Sequence, residues 1–478
     1  MGSRDLIPIL PFIIIAFTAV LVMLMTALKQ GRSATFIITL CGYAFSLVST
    51  CLIIPEIRPA HQITPLLIID GYSLFFIDLI VAASLALAIL SYDYLKMHAA
   101  RSGEYYVLFL TATLGGMVLT ASSHFMSFFL GLEILSLSLY VLVAYLYTTP
   151  RHLEAGIKYL VLSSVSTAFL LFGMALIYYR AGTMEFSVLG TRMPGLSADP
   201  ALVAGTVMVT VGIGFKLALV PFHMWAPDVY EGAPVPVAAF IATVSKGAVF
   251  TVLVRFFTET VIFGGGPLFI IFSIIAATTM FTGNFLALFQ NNVKRLLAYS
   301  SIAQFGYLLV AFLSARSMRT TSIAFYLTAY FVMSIGAFGI VTLMADKDSD
   351  ADPLHTYAGL FFARPWFAAA FALMLLGLAG MPLTIGLIGK LYIFAAGVAS
   401  GLTFLVIVLA VNSVVGLFYY IRVISIMFIR PEAGEIQLLK SRFSMSGRLL
   451  IAALSVILVW LGIYPAPLVG IIQKMIGP

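Results

Sequence analysis

Long apolar runs alternate with short polar connectors from one end of the chain to the other. A helix crosses the hydrocarbon core in about 20 residues. By that length the pattern predicts roughly fourteen spans, at 6–28, 34–54, 73–91, 105–121, 124–147, 155–179, 202–224, 234–258, 267–289, 295–314, 321–344, 365–399, 402–429 and 447–471. The twelfth is too long for one straight span and contains "GLAGMPLTIGLIGK" (377–390). The predicted fold is an all-α polytopic membrane protein, with residues 1–478 forming a single integral membrane domain. The run from Leu6 lacks a small-residue cleavage site, so it reads as a first span.

A faint echo divides the pattern further. "LYVLVAY" (139–145) in the fifth span resembles "GYLLVAF" (306–312) in the tenth, and prolines interrupt the seventh span at Pro221 and the twelfth at Pro382. Spans 4–8 (105–258) and 9–13 (267–429) are therefore expected to be two five-helix repeats, following spans 1–3 (1–104) and preceding a C-terminal span (430–478). An odd repeat length forces the copies into opposite orientations. Interrupted helices at matching places in inverted halves point to an ion or substrate path at mid-membrane.

Composition agrees: 62% of residues are hydrophobic and only 9% charged, against about 25% charged in soluble domains. The net charge of +7 belongs to topology rather than to nucleic-acid binding. The N-terminus, the even-numbered loops and the C-terminus hold about seven basic residues: Arg4, Arg58, Arg180, Arg192, Arg316, Arg319 and Lys474. The odd-numbered loops hold about thirteen, clustered at Lys29/Arg32, Lys96/Arg101, Lys294/Arg295 and Arg430 through Arg448. The odd loops are thus expected in the cytoplasm and both termini on the other side. Cys41 and Cys51 cannot supply the four thiolates of an iron–sulfur cluster. "FGGGP" (263–267) lacks the context of a nucleotide loop. No dinucleotide fingerprint or metal-ligand array stands out.

Five ionisable residues sit inside predicted spans: Glu133, Lys158, Lys216, Lys246 and Lys390. Each charge at a helix centre costs about 2.5–3.5 kcal/mol on the insertion scale. Four such charges cost roughly 10–14 kcal/mol, the size of a typical domain's whole stability. Pairing, enclosed water or neutralisation must offset that. Lys158 stands near a span end, from which a lysine can snorkel to the headgroups; Lys216, Lys246 and Lys390 have long apolar flanks. One structural Glu–Lys pair accounts for two of the set at most, and the excess of lysines suits a proton path. Pro221 breaks its helix one turn beyond Lys216, and freed carbonyls are tolerated in a bilayer only under protein or water. His223 lies past the break and has the ring chemistry for proton exchange; a structural, hydrogen-bonded His223 is the alternative. Pro382 and Lys390 repeat the scheme. Asp228 and Glu231, among three prolines, suggest a rigid connector, Lys294 and Arg295 topogenic anchors, and Asp78 a polar cluster or partner-facing group. Arg255 and Arg422 have stems long enough to snorkel.

At these residues the chain resembles the subunit N family of proton-pumping NADH-quinone oxidoreductase, respiratory complex I. The segments that carry the likeness are "PFHMWAPDVYEGAPVPVAAFIATVSKGAVF" (221–250), "LEAGIKYLVLSS" (153–164), "NNVKRLLAYSSIAQFGYLL" (291–309) and "GKLYIF" (389–394). The resemblance implies inverted five-helix repeats with broken seventh and twelfth helices. It also implies a polar axis in which Glu133, Lys216, Lys246 and Lys390 carry protons, with Glu154 and Lys158 at the start of the sixth span. Partners would be other membrane-arm subunits in a bacterial inner membrane. NADH, FMN, iron–sulfur clusters and quinone would bind those partners, and this chain would hold no cofactor. Two positions depart from the family: Gln304 stands where histidine is frequent, and "MPLTIGL" (381–387) replaces the usual "PPT.GF". The mechanism expected is electrostatic, with Glu133 paired to Lys216 until a neighbouring charge change loosens the pair and the proton passes by Lys246 toward Lys390. A rival of another class is a subunit of a multisubunit cation/proton antiporter, and a third is a membrane spacer with vestigial charges.

Overall fold

A computed structural model describes residues 7–29, 31–53, 61–99, 102–147, 149–196, 199–260, 266–346, 350–430 and 445–476. Arg4, Arg58, Arg101, Lys440, Arg442 and residues 263–265 of "FGGGP" lie outside the described residues. The apolar runs form helices α1 (Leu10–Ala27), α2 (Arg32–Ile53), α3 (Gly71–His98), α4 (Gly103–Ala121), α5 (Phe125–Val143) and α6 (Pro150–Ala181). The seventh run is split into α7a (Pro200–Leu217) and α7b (Trp225–Gly232). Then follow α8 (Val235–Glu259), α9 (Pro267–Leu288), α10 (Val293–Leu313) and α11 (Arg316–Met344). The twelfth run is α12a (Pro365–Ala379) plus α12b (Ile385–Ala399), and α13 (Thr403–Met427), α14 (Met445–Ile463) and α15 (Ala466–Ile476) complete the chain.

Among the described residues, 13 helices are long and apolar enough to cross a membrane. The difference from fourteen is the twelfth span, whose halves are each 15 residues long. The fourteenth span stops at Ile463, before Pro465, and α15 follows. A small antiparallel hairpin was not foreseen: β1 (His61–Thr64) pairs with β2 (Leu67–Ile69), with a register shift between Gln62 and Thr64.

Helix ends follow local chemistry. Proline opens α6, α7a and α12a, where its missing N–H is no loss. Asp199 caps α7a by accepting from the backbone N–H of Ala201 and Leu202. Gly182 ends α6 with a left-handed φ of 67°. Inside α8 a π-helical turn, Ile241–Ser245, directly precedes Lys246; such turns are rare and frequent at functional sites.

The chain forms two compact units. The first holds Met1–Ala88, Arg101–Trp225 and Val244–Phe272; the second holds Ile89–Ala100, Ala226–Thr243 and Ser273–Pro478. In the first unit, loops after the second, fourth and sixth spans meet at one end. Ser123 N–H donates to Leu66 O, Phe125 N–H to Met184 O, and Phe186 N–H to Ser123 O. In the second unit, connectors after the third, seventh, ninth and eleventh spans meet, as Tyr94 and Lys294 both donate to Asp350 and Arg295 to Asp228. Even loops thus share one end of the first unit and odd loops one end of the second, as alternating spans require.

α6 and α7a touch backbone to backbone. A Cβ on Gly173 would lie 2.6 Å from Gly205 O, so only glycine permits the approach. That contact brings the α7a lysine to the α6 hydroxyl described next.

Candidate functional site

The first broken helix is built by Pro221. Having no N–H, it leaves the carbonyl of Leu217 without its helical donor, and the chain departs at Ala218, whose φ is 57°. Earlier carbonyls are recovered locally: Gly214 O accepts from Leu219 N–H, and Phe215 O from Ala218 N–H. Phe215 O accepts a second bond, 2.8 Å, from Trp225 Nε1 at the start of α7b. The indole is stacked between Tyr159 and Phe215, 4.9 and 5.4 Å from their centroids.

Lys216 lies just inside this break and is 5% exposed. Its Nζ donates to Ser136 Oγ of α5 at 2.7 Å and to Ser163 Oγ of α6 at 2.6 Å. Tyr140 Oη donates to the same Ser163 at 2.7 Å, and its ring centroid is 5.9 Å from Nζ. The expected Glu133–Lys216 ion pair is corrected by this geometry. Glu133 is half-buried and its Oε1 accepts from Thr167 of α6 at 3.1 Å. Ser136, one turn further along α5, takes the ammonium instead.

Lys246 follows the π turn of α8 and is fully buried. His223, on the segment between α7a and α7b, is 7% exposed, and neither ring nitrogen has a hydrogen-bond partner among the described residues.

The second break repeats the first with different parts. α12a ends at Ala379, Gly380 turns with φ 84°, and Leu383 has φ 68°. Thr384 caps α12b. Lys390, 7% exposed, reaches back one helix to donate to Ala379 O at 2.8 Å, with Nζ 5.0 Å from the Tyr307 ring centroid. A Cβ on Gly380 would lie 2.8 Å from Lys390 Cδ. Gly380→Ala combines that clash with a left-handed backbone costing about 1–2 kcal/mol. We expect it to lower the melting temperature of the assembled protein and to impair whatever Lys390 does. Thermal unfolding alongside an activity assay checks both.

Tyr140 and Tyr307 hold the same place in the echoed strings "LYVLVAY" and "GYLLVAF". Each faces a lysine on a broken helix.

Other charges are paired off. Glu154 and Lys158 form an i,i+4 bridge of 2.7 Å on an open face of α6, with side chains 64% and 45% exposed, so the structure does not bring them to the Lys216 pocket. Arg255 does not snorkel: it is buried and donates to both Asp70 oxygens at 3.0 and 2.8 Å. Arg422 caps the end of α9 through Leu288 O at 3.0 Å. Asp78 accepts from Thr50. Asp228 and Glu231 lie on α7b and grip Arg295 at 2.7 and 2.8 Å. Lys294 is fully buried between Asp350 and Asp352, at 2.8 and 3.1 Å. These two basic residues are more than topological anchors.

Sequence reading missed Ser136, Ser163, Tyr140 and Trp225 at one lysine, and Tyr307 and the Ala379 carbonyl at the other. A signal existed for one: Ser136 is three residues after Glu133, hence on the same helix face. Among the described residues, no group of three or more His, Cys, Asp or Glu side chains is placed to hold a metal ion.

Comparisons with known proteins agree with one another. The family model described as NADH:quinone oxidoreductase/Mrp antiporter, TM, matches residues 122–416. A Nitrosospira multiformis protein named NADH-quinone oxidoreductase subunit N is 48% identical over 487 residues, covering 98% of this chain and 96% of that one. A Methylococcus capsulatus protein of the same name is 43% identical over 473 residues, covering 98% and 95%. Among solved structures, a chain of respiratory complex I from Thermus thermophilus with bound aureothin superposes with TM-score 0.81 at 31% identity, over 96% of this chain and 98% of that one. A chain of the Mrp complex from a Dietzia species superposes with TM-score 0.86 at 18% identity, over 99% and 97%, a likeness of fold alone.

Proposed function

Since the chain belongs to the subunit N family of NADH-quinone oxidoreductases, we propose that it translocates protons as a membrane-arm subunit of respiratory complex I, driven by redox chemistry in other subunits. NADH, FMN, iron–sulfur clusters and quinone are assigned to those partners, and the electron-transfer chemistry with them. Sodium–proton exchange of the antiporter kind is less supported, because the identities near 45% are to N subunits and the Mrp chain is 18% identical.

The observation that supports the reading most is the burial of three amines, Lys216, Lys246 and Lys390, at 5%, 0% and 7% exposure inside spans. Two of them stand beside helix breaks, where Lys216 donates to two hydroxyls and Lys390 to a backbone carbonyl. At Lys216 the acceptors are hydroxyls, which reverse role by rotating their own hydrogen. When the ammonium gives up a proton, the amine lone pair accepts from the hydroxyl that had been its acceptor. Glu133 biases this step without touching the amine, because the attraction between unlike charges falls only as the inverse of their separation. A charge change in a neighbouring subunit that shifts Glu133 alters the hold on the proton. The route then runs by Lys246 toward Lys390, with His223 as an accessory exchanger and Glu154/Lys158 facing outward. We place the odd loops in the cytoplasm and treat spans 4–8 and 9–13 as the inverted repeats.

The test is Lys246→Ala in an assembled, membrane-reconstituted complex, with proton uptake measured against electron flux. Pumping per electron is expected to fall. An unchanged ratio removes Lys246 from the route.

A further inference from the structure

Pro382 carries no N–H, so the carbonyl of Leu378, four residues earlier, loses the donor that a continued helix would give it. Gln304 of α10 supplies one instead: its Nε2 donates to Leu378 O at 3.1 Å. The next carbonyl, that of Ala379, takes the amine of Lys390 at 2.8 Å. Two consecutive carbonyls at one broken helix end are therefore held by an amide and an amine, side by side.

The amide is itself fixed. Tyr326 Oη donates to Gln304 Oε1. Nε2 also reaches Tyr420 Oη at 3.4 Å, and that hydroxyl bonds Ser300. Turning the amide over would set Oε1 against Leu378 O, two acceptors facing each other, so only one orientation satisfies both ends. Gln304 is 1% exposed.

We propose that Gln304 is a positioning residue for proton exchange at Lys390: it sets the last turn of α12a so that the Ala379 carbonyl meets the amine, and it does so without titrating. The inference rests on Lys390 carrying protons, as argued above. What position 304 must supply is a donor toward Leu378. Glutamate has the shape of glutamine but donates only when protonated; ionised, it sets a negative charge against the carbonyl. A leucine fills the volume and donates nothing.

The experiment measures the initial rate of proton pumping at fixed electron flux, in the reconstituted complex, from mildly acidic to mildly alkaline pH. Gln304→Leu is expected to slow pumping about tenfold at every pH, the effect of losing one buried hydrogen bond. Gln304→Glu is expected to match it at alkaline pH and to recover toward the parent as pH falls. If Gln304→Leu fails to assemble, the pH slope of the glutamate variant alone decides. A glutamate variant that tracks the parent across the whole range overturns the positioning role, as does one that is impaired with no pH dependence. Lys390→Ala in the same preparation separates the two levels. If it pumps normally, the role of Lys390 falls and the role of Gln304 with it. If it is impaired while Gln304→Glu behaves as the parent, only the positioning role falls.

Discussion

Lys216→Ala in the assembled complex is expected to give protein that folds and assembles but pumps poorly. Folding survives because the groups left behind remain satisfied: Tyr140 still donates to Ser163, and a serine in a helix can turn its hydroxyl back to its own preceding turn. Pumping suffers because a positioned acid–base group contributes about 10²–10⁴ to a proton-transfer step. Lys216→Arg discriminates further. The guanidinium keeps the positive charge but does not release its proton at any working pH. If Lys216 serves only as a fixed charge that answers Glu133, arginine preserves pumping. If the amine itself hands on the proton, arginine is as impaired as alanine, and that is the result expected here. Proton uptake per electron, read in sealed vesicles for the two variants and the parent, decides. Normal pumping in both would remove Lys216 from the route altogether.

What was legible beforehand follows from how far each interaction reaches along the chain. Span positions and the two breaks are local properties. Twenty apolar residues, or a proline four places past a carbonyl, leave a mark in consecutive sequence, and α7a/α7b and α12a/α12b lie where Pro221 and Pro382 predict. The buried lysines were legible for the same reason. Their acceptors were not. Ser136 and Ser163 are 80 and 53 residues from Lys216, and nothing in an apolar sequence tells a serine that faces an amine from one that bonds its own helix. The acid misassigned to Lys216 shows the cost of reasoning by charge type alone: Glu133 has a threonine beside it, and a hydroxyl one turn away was better placed. The acidic partners of Lys294 and Arg295 were hidden because they sit on two separate connectors. The echo between the fifth and tenth spans, slight as a string match, gains weight from the tyrosines that it aligns.

The hidden pairs carry the largest expected effect on stability. Lys294→Ala would take from Asp350 and Asp352, 11% and 7% exposed, the buried ammonium that both contact. Removing one partner of a buried ion pair costs about 3–5 kcal/mol, because the other is left uncompensated. Tyr94 still donates to Asp350, but a neutral hydroxyl does not replace a charge. Backbone contacts share the strain, since Val293 N–H donates to Asp352 O and Leu354 N–H to Asn291 O, tying the acidic segment to the start of α10. Lys294→Ala is therefore expected to reduce recovery of assembled protein sharply and to lower its melting temperature. The charge-balanced variant, Lys294→Met with Asp350→Asn and Asp352→Asn, removes all three charges at once, and such replacements are often neutral. Recovery in that triple variant, measured as yield and melting temperature beside the single one, is the expected outcome. A single variant as stable as the parent would mean that the cluster is hydrated enough to dispense with its lysine. A triple variant no better than the single one would mean that Lys294 acts through its bond to Ala233 O rather than through its charge.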